Sequence, residues 1–313
     1  MATNFPQIIR KFDVIHLHSW RNFQDLIVHH YAEKFSVPYI LQAHGSLPII
    51  GSQQKIKQIY DRSYGSLLLR DATKVVAFNK EEADQYTHLS VPKEKIAIIP
   101  NGIDLSNYVN LPEPNLFKKK YGIPAKTKII LYLGRLNKTK GIDFLITSYS
   151  NMVKTHKETD MLLVIAGPDD GYFDYLKSLT QKLEIANRVI FTGLLTEQEK
   201  ICAFVDSSVV VYLSYFEPFG LVTFEAAASS KPIIVSSNTP MAMVINKGKF
   251  GLSVKYDDKI ELAEKIASLI NDESLQQEMG KMGRSFVFKN YDWTNILPKL
   301  EKVYSDVLAT HSD

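Results

Sequence analysis

Cysteine is nearly absent: Cys202 is the only one in 313 residues. A disulfide framework is therefore excluded, and a reducing compartment fits the composition. Flanked by Ile201, Ala203, Phe204 and Val205, Cys202 reads as a small, buried and inert apolar residue. No apolar run is long enough to cross a bilayer, and residues 1–11 lack the apolar stretch of a secretory leader, so the expectation is a cytoplasmic protein. Net charge is also slight. The 37 Lys and Arg oppose 34 Asp and Glu, leaving +3, too little to draw in nucleic acid. The run Lys118-Lys119-Lys120 reads as a solvated linker or helix face. What remains is ordinary globular material, 45% hydrophobic and 23% charged, long enough for two domains.

Short apolar runs alternate with longer stretches of helical spacing. Strands are expected at 13–18, 39–44, 74–78 and 96–100, with helices over 22–35 and 54–70. Residues 109–124 hold Pro112, Pro114, Gly122 and Pro124 without a sustained period and read as a linker. The rhythm then restarts, with strands at 128–133, 161–166, 188–191, 208–213 and 232–236 and helices near 141–154, 171–183, 196–205 and 221–229. A repeated βα pattern means parallel sheets covered by helices. The fold class is therefore α/β, two Rossmann-like parallel-sheet domains facing a cleft. The divisions are 1–108, a linker at 109–124, 125–290, and a final helix over 291–313 that returns to the first domain. Ligands in such folds bind at the carboxyl ends of the strands.

The strongest chemical signal is Glu217-Pro218-Phe219-Gly220-Leu221-Val222-Thr223-Phe224-Glu225. It places one carboxylate in a loop after a strand and a second about a turn into the next helix. A carboxylate accepts two hydrogen bonds at once, which suits a vicinal diol such as a ribose. Gly220 leaves the backbone open, so the helix start can offer N–H groups and its positive dipole end to an anion. The second signal is Gly134-Arg135-Leu136-Asn137-Lys138-Thr139-Lys140-Gly141, between a strand and a helix. Arg135 and Lys140 there can converge on one point. Two cations beside a helix start make a diphosphate site that requires no metal, and a departing nucleoside diphosphate develops charge as its glycosidic bond breaks.

Together these residues resemble retaining glycosyltransferase family 4, which has the GT-B fold of two Rossmann domains. Asp13-Val14-Ile15-His16-Leu17-His18, Ala43-His44-Gly45, Pro100-Asn101-Gly102-Ile103-Asp104, Ala166-Gly167-Pro168 and Phe191-Thr192-Gly193 add to the match, in family order along nearly the whole chain. The resemblance implies a hexosyltransferase that uses a nucleotide-diphosphate sugar as co-substrate, with no other cofactor and no metal. It implies transfer with retention to a glycan or polyprenyl-linked acceptor in polysaccharide biosynthesis. Arg135 and Lys140 would bind the donor diphosphate and stabilise the departing group. Glu225 would hold the ribose, and Glu217 the sugar hydroxyls near the reacting carbon. Backbone N–H groups of Phe219, Gly220 and Leu221 would hold sugar and phosphate. His44 would face the sugar from the opposite domain, and Gly193 and Leu194 would lie beside the nucleobase.

Two departures from the family pattern carry expectations. The opening strand, Gly-Gly loop and helix have no counterpart, so the N-terminal domain is expected to be shortened. A partner chain or second copy would then cover the exposed sheet, and the alternative function is a non-catalytic nucleotide-sugar-binding subunit that such a partner completes. Met243 also stands where the family often has Glu. Other residues read more plainly. His16 and His18 share a strand face but lack a third metal ligand, so a structural or cleft-lining role is expected. His29 and His30 read as ordinary surface or boundary residues, and Trp293 as a packing anchor. The stretch 55–70 mixes Lys and Arg with Ile, Leu and Tyr. Packing of its apolar face onto the domain's own sheet is favoured over a peripheral membrane contact.

Overall fold

The computed structural model describes residues 5–50, 53–156 and 160–311. The chain divides into two compact units, Met1–Gly102 with Trp293–Asp313, and Ile103–Asp292. Each is built on one parallel sheet.

In the first unit, β1 (Ile15–His18), β2 (Tyr39–Gln42), β3 (Lys74–Ala77) and β4 (Ile96–Ile98) pair in sequence order. Side chains alternate across a strand, so the sheet has two dry faces. Leu17, Tyr39, Leu41, Val75 and Ala77 pack with Val28, Ala32, Leu68, Leu69 and Tyr86. Ile40 and Val76 pack with Ile296, Val303 and Val307 of the helix Trp293–Ala309. Each such buried aliphatic contributes roughly 1.5–3 kcal/mol, which fixes the end of the chain to this sheet. Trp293 lies over Gly102, its ring 2.3 Å from where a Cβ would stand. The helix Phe23–Phe35 starts where the Asn22 side chain accepts from the Asp25 N–H, and Lys80–His88 starts likewise at Asn79.

In the second unit, β5 (Lys128–Leu133), β6 (Met161–Ala166), β7 (Val189–Gly193), β8 (Val209–Tyr212), β9 (Ile233–Ser236) and β10 (Gly251–Val254) follow the order β10-β9-β8-β5-β6-β7. All pairs are parallel. β8 and β9 are buried along their whole length, as strands covered on both faces must be. The order reverses between β5 and β8, so this sheet has a switch point at their carboxyl ends.

Two expectations need correction. Residues 109–124 are not a bare connector. Leu116–Lys120 is helical, Phe117 is buried, and the buried Asp206 carboxylate accepts from the backbone N–H groups of Asn115 and Lys118. The proline-rich composition masked this because the partner lies ninety residues away. Beyond β9 the chain runs through helices Pro240–Gly248, Lys259–Asn271 and Glu273–Tyr291. Finally, the apolar face of residues 54–71 does not pack wholly on its own sheet. Leu68 and Leu69 turn inward, but of Gln54–Tyr60 only Tyr60 packs against the core, and Ile56 and Ile59 point to solvent. A five-residue π-turn, Asp61–Gly65, divides the two stretches and resets which side faces in. No helix among the described residues is long and apolar enough to cross a membrane.

Candidate active site

The two sequence motifs meet at the switch point of the second sheet. One loop leaves β5 and runs from Gly134 to Gly141. The other leaves β8 and runs from Leu213 to Gly220. They are stitched main chain to main chain, the Tyr215 N–H donating to the Thr139 carbonyl at 3.0 Å. Lys140 Nζ then donates to Glu217 Oε2 at 2.6 Å, and the Tyr212 hydroxyl donates to the same oxygen at 2.6 Å. The Lys140 and Glu217 side chains are each only 14% exposed. A buried ion pair holds only if further hydrogen bonds satisfy its remaining valences, and Tyr212 supplies one. Lys140 Nζ also lies 3.3 Å from the Tyr212 oxygen. Burial, then the Glu217 carboxylate, push the Tyr212 hydroxyl far above the usual phenol range, so it stays a donor.

Arg135 does not share Lys140's anionic partner. It donates to Asp170 Oδ2 at 2.9 Å, as Asn137 does at 3.0 Å, and its side chain is mostly exposed. The expected cation pair is thus held on two different carboxylates, the buried Glu217 and the exposed Asp170. Asp170 belongs to the loop after β6, which closes on the loop after β5 through the Leu136 N–H to the Pro168 carbonyl and the Asp170 N–H to the Leu136 carbonyl. Gly167 adopts a positive φ of 141°, and a Cβ there would stand 1.9 Å from the Gly134 carbonyl oxygen. Only glycine permits this approach.

These loops enclose a cavity of about 300 Å³ at the ends of β5, β6 and β7. Gly134, Gly167, Pro168, Leu194 and Leu195 give it apolar walls, and Arg135, Glu197 and Lys200 give it charge. Lys200 donates to Glu225 Oε1 at 2.7 Å and pairs with Glu197 at 2.9 Å. Burial raises the Glu225 carboxyl above its usual range, and the bond from Lys200 partly offsets it. For Lys200 burial acts downward, but the carboxylates of Glu225 and Glu197 outweigh it. Glu225 is therefore reached from the cavity through Lys200, its direct neighbour on the wall. Leu194 is exposed at the rim and Gly193 ends β7 beside it.

The helix Leu221–Ala228 starts at Gly220, but the Gly220 N–H donates to Glu217 Oε1 at 3.2 Å. The backbone donor expected to meet a ligand is engaged by the adjacent carboxylate here. Phe219 stacks on Phe224, and Leu221 is half exposed. Met243 is exposed, while Met241 packs against Gly220.

His44 belongs to the first unit, where it closes a row of three imidazoles. His18 Nδ1 lies 2.8 Å from His44 Nε2, and His16 Nδ1 lies 2.8 Å from the Tyr304 hydroxyl. The His16 and His18 rings stack at 4.1 Å. Below the row the Glu82 carboxylate accepts from the Gly45 and Phe78 N–H groups, fixing the loop that carries His44. Burial, then His18 and His44, lower His16 to about 4. Burial also lowers His18, and burial followed by His18 lowers His44. A folded value below the unfolded one means that the unfolded chain takes up the proton first. His16 therefore contributes stability above pH 6.5 that is lost as pH falls toward 4, about 3 kcal/mol in all. Burial raises Asp25 to about 6 and Glu82 to about 7, which act in the opposite sense over much of this range. The readout is therefore a difference. Urea unfolding of wild type and His16→Asn at pH 7 and pH 4.5 should show the wild-type advantage shrinking at the lower pH, and a constant difference would count against a buried neutral His16.

His29 is a boundary residue with a carboxylate partner. It lies 3.0 Å from Asp71, with Glu33 and Asp71 ligand atoms all within 4.8 Å, and Arg70 also grips Asp71. Sequence reasoning missed Lys200, Tyr212, Asp170 and Glu82. Only Glu82 had a local signal, as the third residue after the helix-starting Asn79.

Residues 115–286, more than half of the chain, match the family of glycosyl transferases group 1, and residues 1–107 match Glycosyltransferase Family 4. An uncharacterized glycosyltransferase of Methanocaldococcus jannaschii is 28% identical over 304 residues, 95% of this chain and 76% of that protein. The D-inositol 3-phosphate glycosyltransferase of Corynebacterium diphtheriae is 26% identical over 306 residues, 95% of this chain and 71% of the relative. Among solved structures, Anabaena HepE in complex with UDP superposes with a TM-score of 0.84 at 19% identity, over 97% of this chain and 81% of HepE. The chain is thus an enzyme of the glycosyl transferases group 1 family, with a Family 4 N-terminal domain and the two parallel-sheet domains of the GT-B fold.

Proposed function

We propose that this enzyme transfers a hexose from a nucleoside-diphosphate sugar to a glycan or lipid-linked acceptor, retaining the anomeric configuration and using no metal. The observation that carries the reading is the Lys140–Glu217–Tyr212 cluster at the switch point of a sheet whose strand ends also form a cavity lined by Lys200, the partner of Glu225. A nucleobase suits the apolar walls at Pro168, Leu194 and Leu195, and the ribose diol suits Glu225. The diphosphate then falls between Arg135 and Lys140, whose fixed ammonium can take up the charge that grows on the departing phosphate. Glu217, relieved of Lys140 by that phosphate, can accept from the sugar hydroxyls. The Gly220 N–H, engaged by Glu217 in the same cluster, becomes available in the same event. HepE holds UDP, which makes UDP the first nucleotide to test. The assignment of His44 to the donor sugar rests on the family resemblance.

A thermal-shift panel of UDP, GDP and ADP, each with and without a chelator, is the direct experiment. One diphosphate present at a hundred times its Kd should stabilise by about 2.7 kcal/mol whether or not chelator is added. Incubation with the matching nucleotide sugar should then release the diphosphate. Stabilisation by none of the three, or stabilisation lost on chelation, would contradict the site as described. Binding without turnover would favour the second reading, a subunit that binds donor but does not transfer.

A further inference from the structure

We propose that a strip of four tyrosines on the rim of the second unit, Tyr175, Tyr172, Tyr256 and Tyr215, holds a glycan chain of more than one sugar. They come from three connections at the carboxyl ends of the strands. Tyr172 and Tyr175 follow β6 at the start of the helix Phe173–Lys182, Tyr215 follows β8, and Tyr256 follows β10. The Tyr172 and Tyr175 rings stack at 4.9 Å. The Tyr172 hydroxyl donates to Asp143, at the start of the helix Ile142–His156, and both groups act electrostatically on Tyr256. Tyr256 meets Tyr215 edge to face at 5.7 Å. The file is thus continuous from Tyr175 to Tyr215. Its middle is rooted, because Tyr172 and Tyr256 pack on the core and Tyr256 also meets Phe144. Its ends are open, with Tyr175 52% and Tyr215 64% exposed. Tyr215 stands two residues before Glu217, and its carbonyl accepts from Asn238 Nδ2 at 2.9 Å. The strip therefore ends beside the candidate active site on a fastened piece of main chain.

Single exposed tyrosines are ordinary. Four brought into one file from separate connections are a surface, and their chemistry names the occupant. An aromatic ring has a negative face. A pyranose offers the complement, a face of C–H groups whose hydrogens are slightly positive, edged by hydroxyls. Stacking leaves those hydroxyls free to bond at the edge, where the Asp143 carboxylate is an acceptor. Tyrosines have few rotatable bonds and these are partly packed, so little freedom is lost on binding. Other occupants fit poorly. The carboxylates of Asp143 and Asp257 flank the rings, and Lys259 is taken up by Asp257 at 3.2 Å. A nucleic acid or an anionic bilayer would meet these carboxylates without the cations it requires. A protein partner of ordinary size covers about 800 Å² on each side, far broader than a single file of rings. The inference rests on the glycan acceptor named above and adds where the chain is held beyond the reacting sugar.

The test is affinity electrophoresis of the purified chain, without nucleotide, in native gels cast with dextran, glycogen, mannan or galactan. At least one of the four should slow the wild type. Tyr175→Ala with Tyr215→Ala should raise the dissociation constant for that polymer at least about fivefold, the loss of two stacking rings. Tyr175→Phe with Tyr215→Phe keeps both ring faces and should keep most of the retardation. Both side chains are more than half exposed, so each double variant should retain the wild-type melting temperature. The thermal shift with UDP, measured alongside, reports the donor site separately. A missing shift with intact retardation would sink the donor reading and leave the strip standing, and the reverse would sink the strip alone. The assignment is overturned if no polymer slows the wild type, if the alanine variant is slowed as much, or if the phenylalanine variant loses as much as the alanine one. It is also overturned if sizing chromatography shows a dimer of the chain that the alanine variant dissolves.

Discussion

Replacing Lys140 by alanine is expected to lower the rate of sugar transfer about 10²–10³-fold, the effect of removing one fixed electrostatic donor from a developing anion. Lys140 is well placed for an effect of that size because it is already oriented. Glu217 and Tyr212 hold its ammonium, and its side chain is largely dry. The ammonium is already in place when a phosphate arrives, and only its acceptor changes. Lys140→Arg should rescue little, because a planar fork cannot take the place of a compact ammonium between one carboxylate oxygen and a phenol. Arg135→Ala should cost less, since Arg135 stands mostly in solvent on the exposed Asp170. Steady-state kinetics, with binding of UDP and uridine measured on each variant, separates these effects. Lys140→Ala should weaken the diphosphate far more than the nucleoside. Equal losses for the two, or near-wild-type turnover, would remove Lys140 from the proposed role.

The second large effect is expected at Glu225, with the opposite signature. Glu225→Gln should weaken nucleoside and nucleoside diphosphate alike, by roughly 1.5–3 kcal/mol, the worth of hydrogen bonds to a charged group. Its carboxylate is also tied to Lys200, so the loss has a structural part. Lys200→Met removes the cation that separates Glu225 from Glu197 and should destabilise the unit on its own. The double variant removes two of these three charges and should be less harmful than the sum of the singles, with a coupling of about 1–3 kcal/mol. Isothermal titration for binding and urea unfolding for stability complete the cycle. Additive losses in both would mean that the 2.7 Å contact between Lys200 and Glu225 carries no energy.

Much of this architecture was legible from short-range pattern. Strands such as β5 and β8 are continuous apolar runs ended by a glycine or a turn, because a sheet covered on both faces demands them. The Glu217–Glu225 spacing was visible because a loop residue and a residue one turn into the next helix lie close in sequence. The partners of those residues were not visible. Lys200 meets Glu225 across 25 positions, and Lys140, in the loop after β5, meets Glu217, in the loop after β8, across 77. Nothing in a local window distinguishes Lys200 from the solvated lysines around it. The bond from the Gly220 N–H to Glu217 was not visible either, because a carboxylate three residues earlier reaches it only through the bend of the loop. The outward turn of Ile56 and Ile59 depended on the π-turn, and periodicity at a single angle has no means of registering a reset halfway along a helix.

The rim of the cavity at the ends of β5, β6 and β7 is joined by peptide groups. The Gly134 N–H donates to the Ala166 carbonyl, the Gly167 N–H to the Gly193 carbonyl, and the Leu136 N–H to the Pro168 carbonyl. A frame of that kind does not consult the side chains that decorate it, provided glycine keeps its place where two carbonyl-bearing loops nearly touch. Sequence drift can therefore repaint the walls at Leu194, Leu195 or Glu197 while the opening keeps its outline. Inherited shape and changeable lining are the conditions under which one scaffold can pass from one nucleotide to another without refolding.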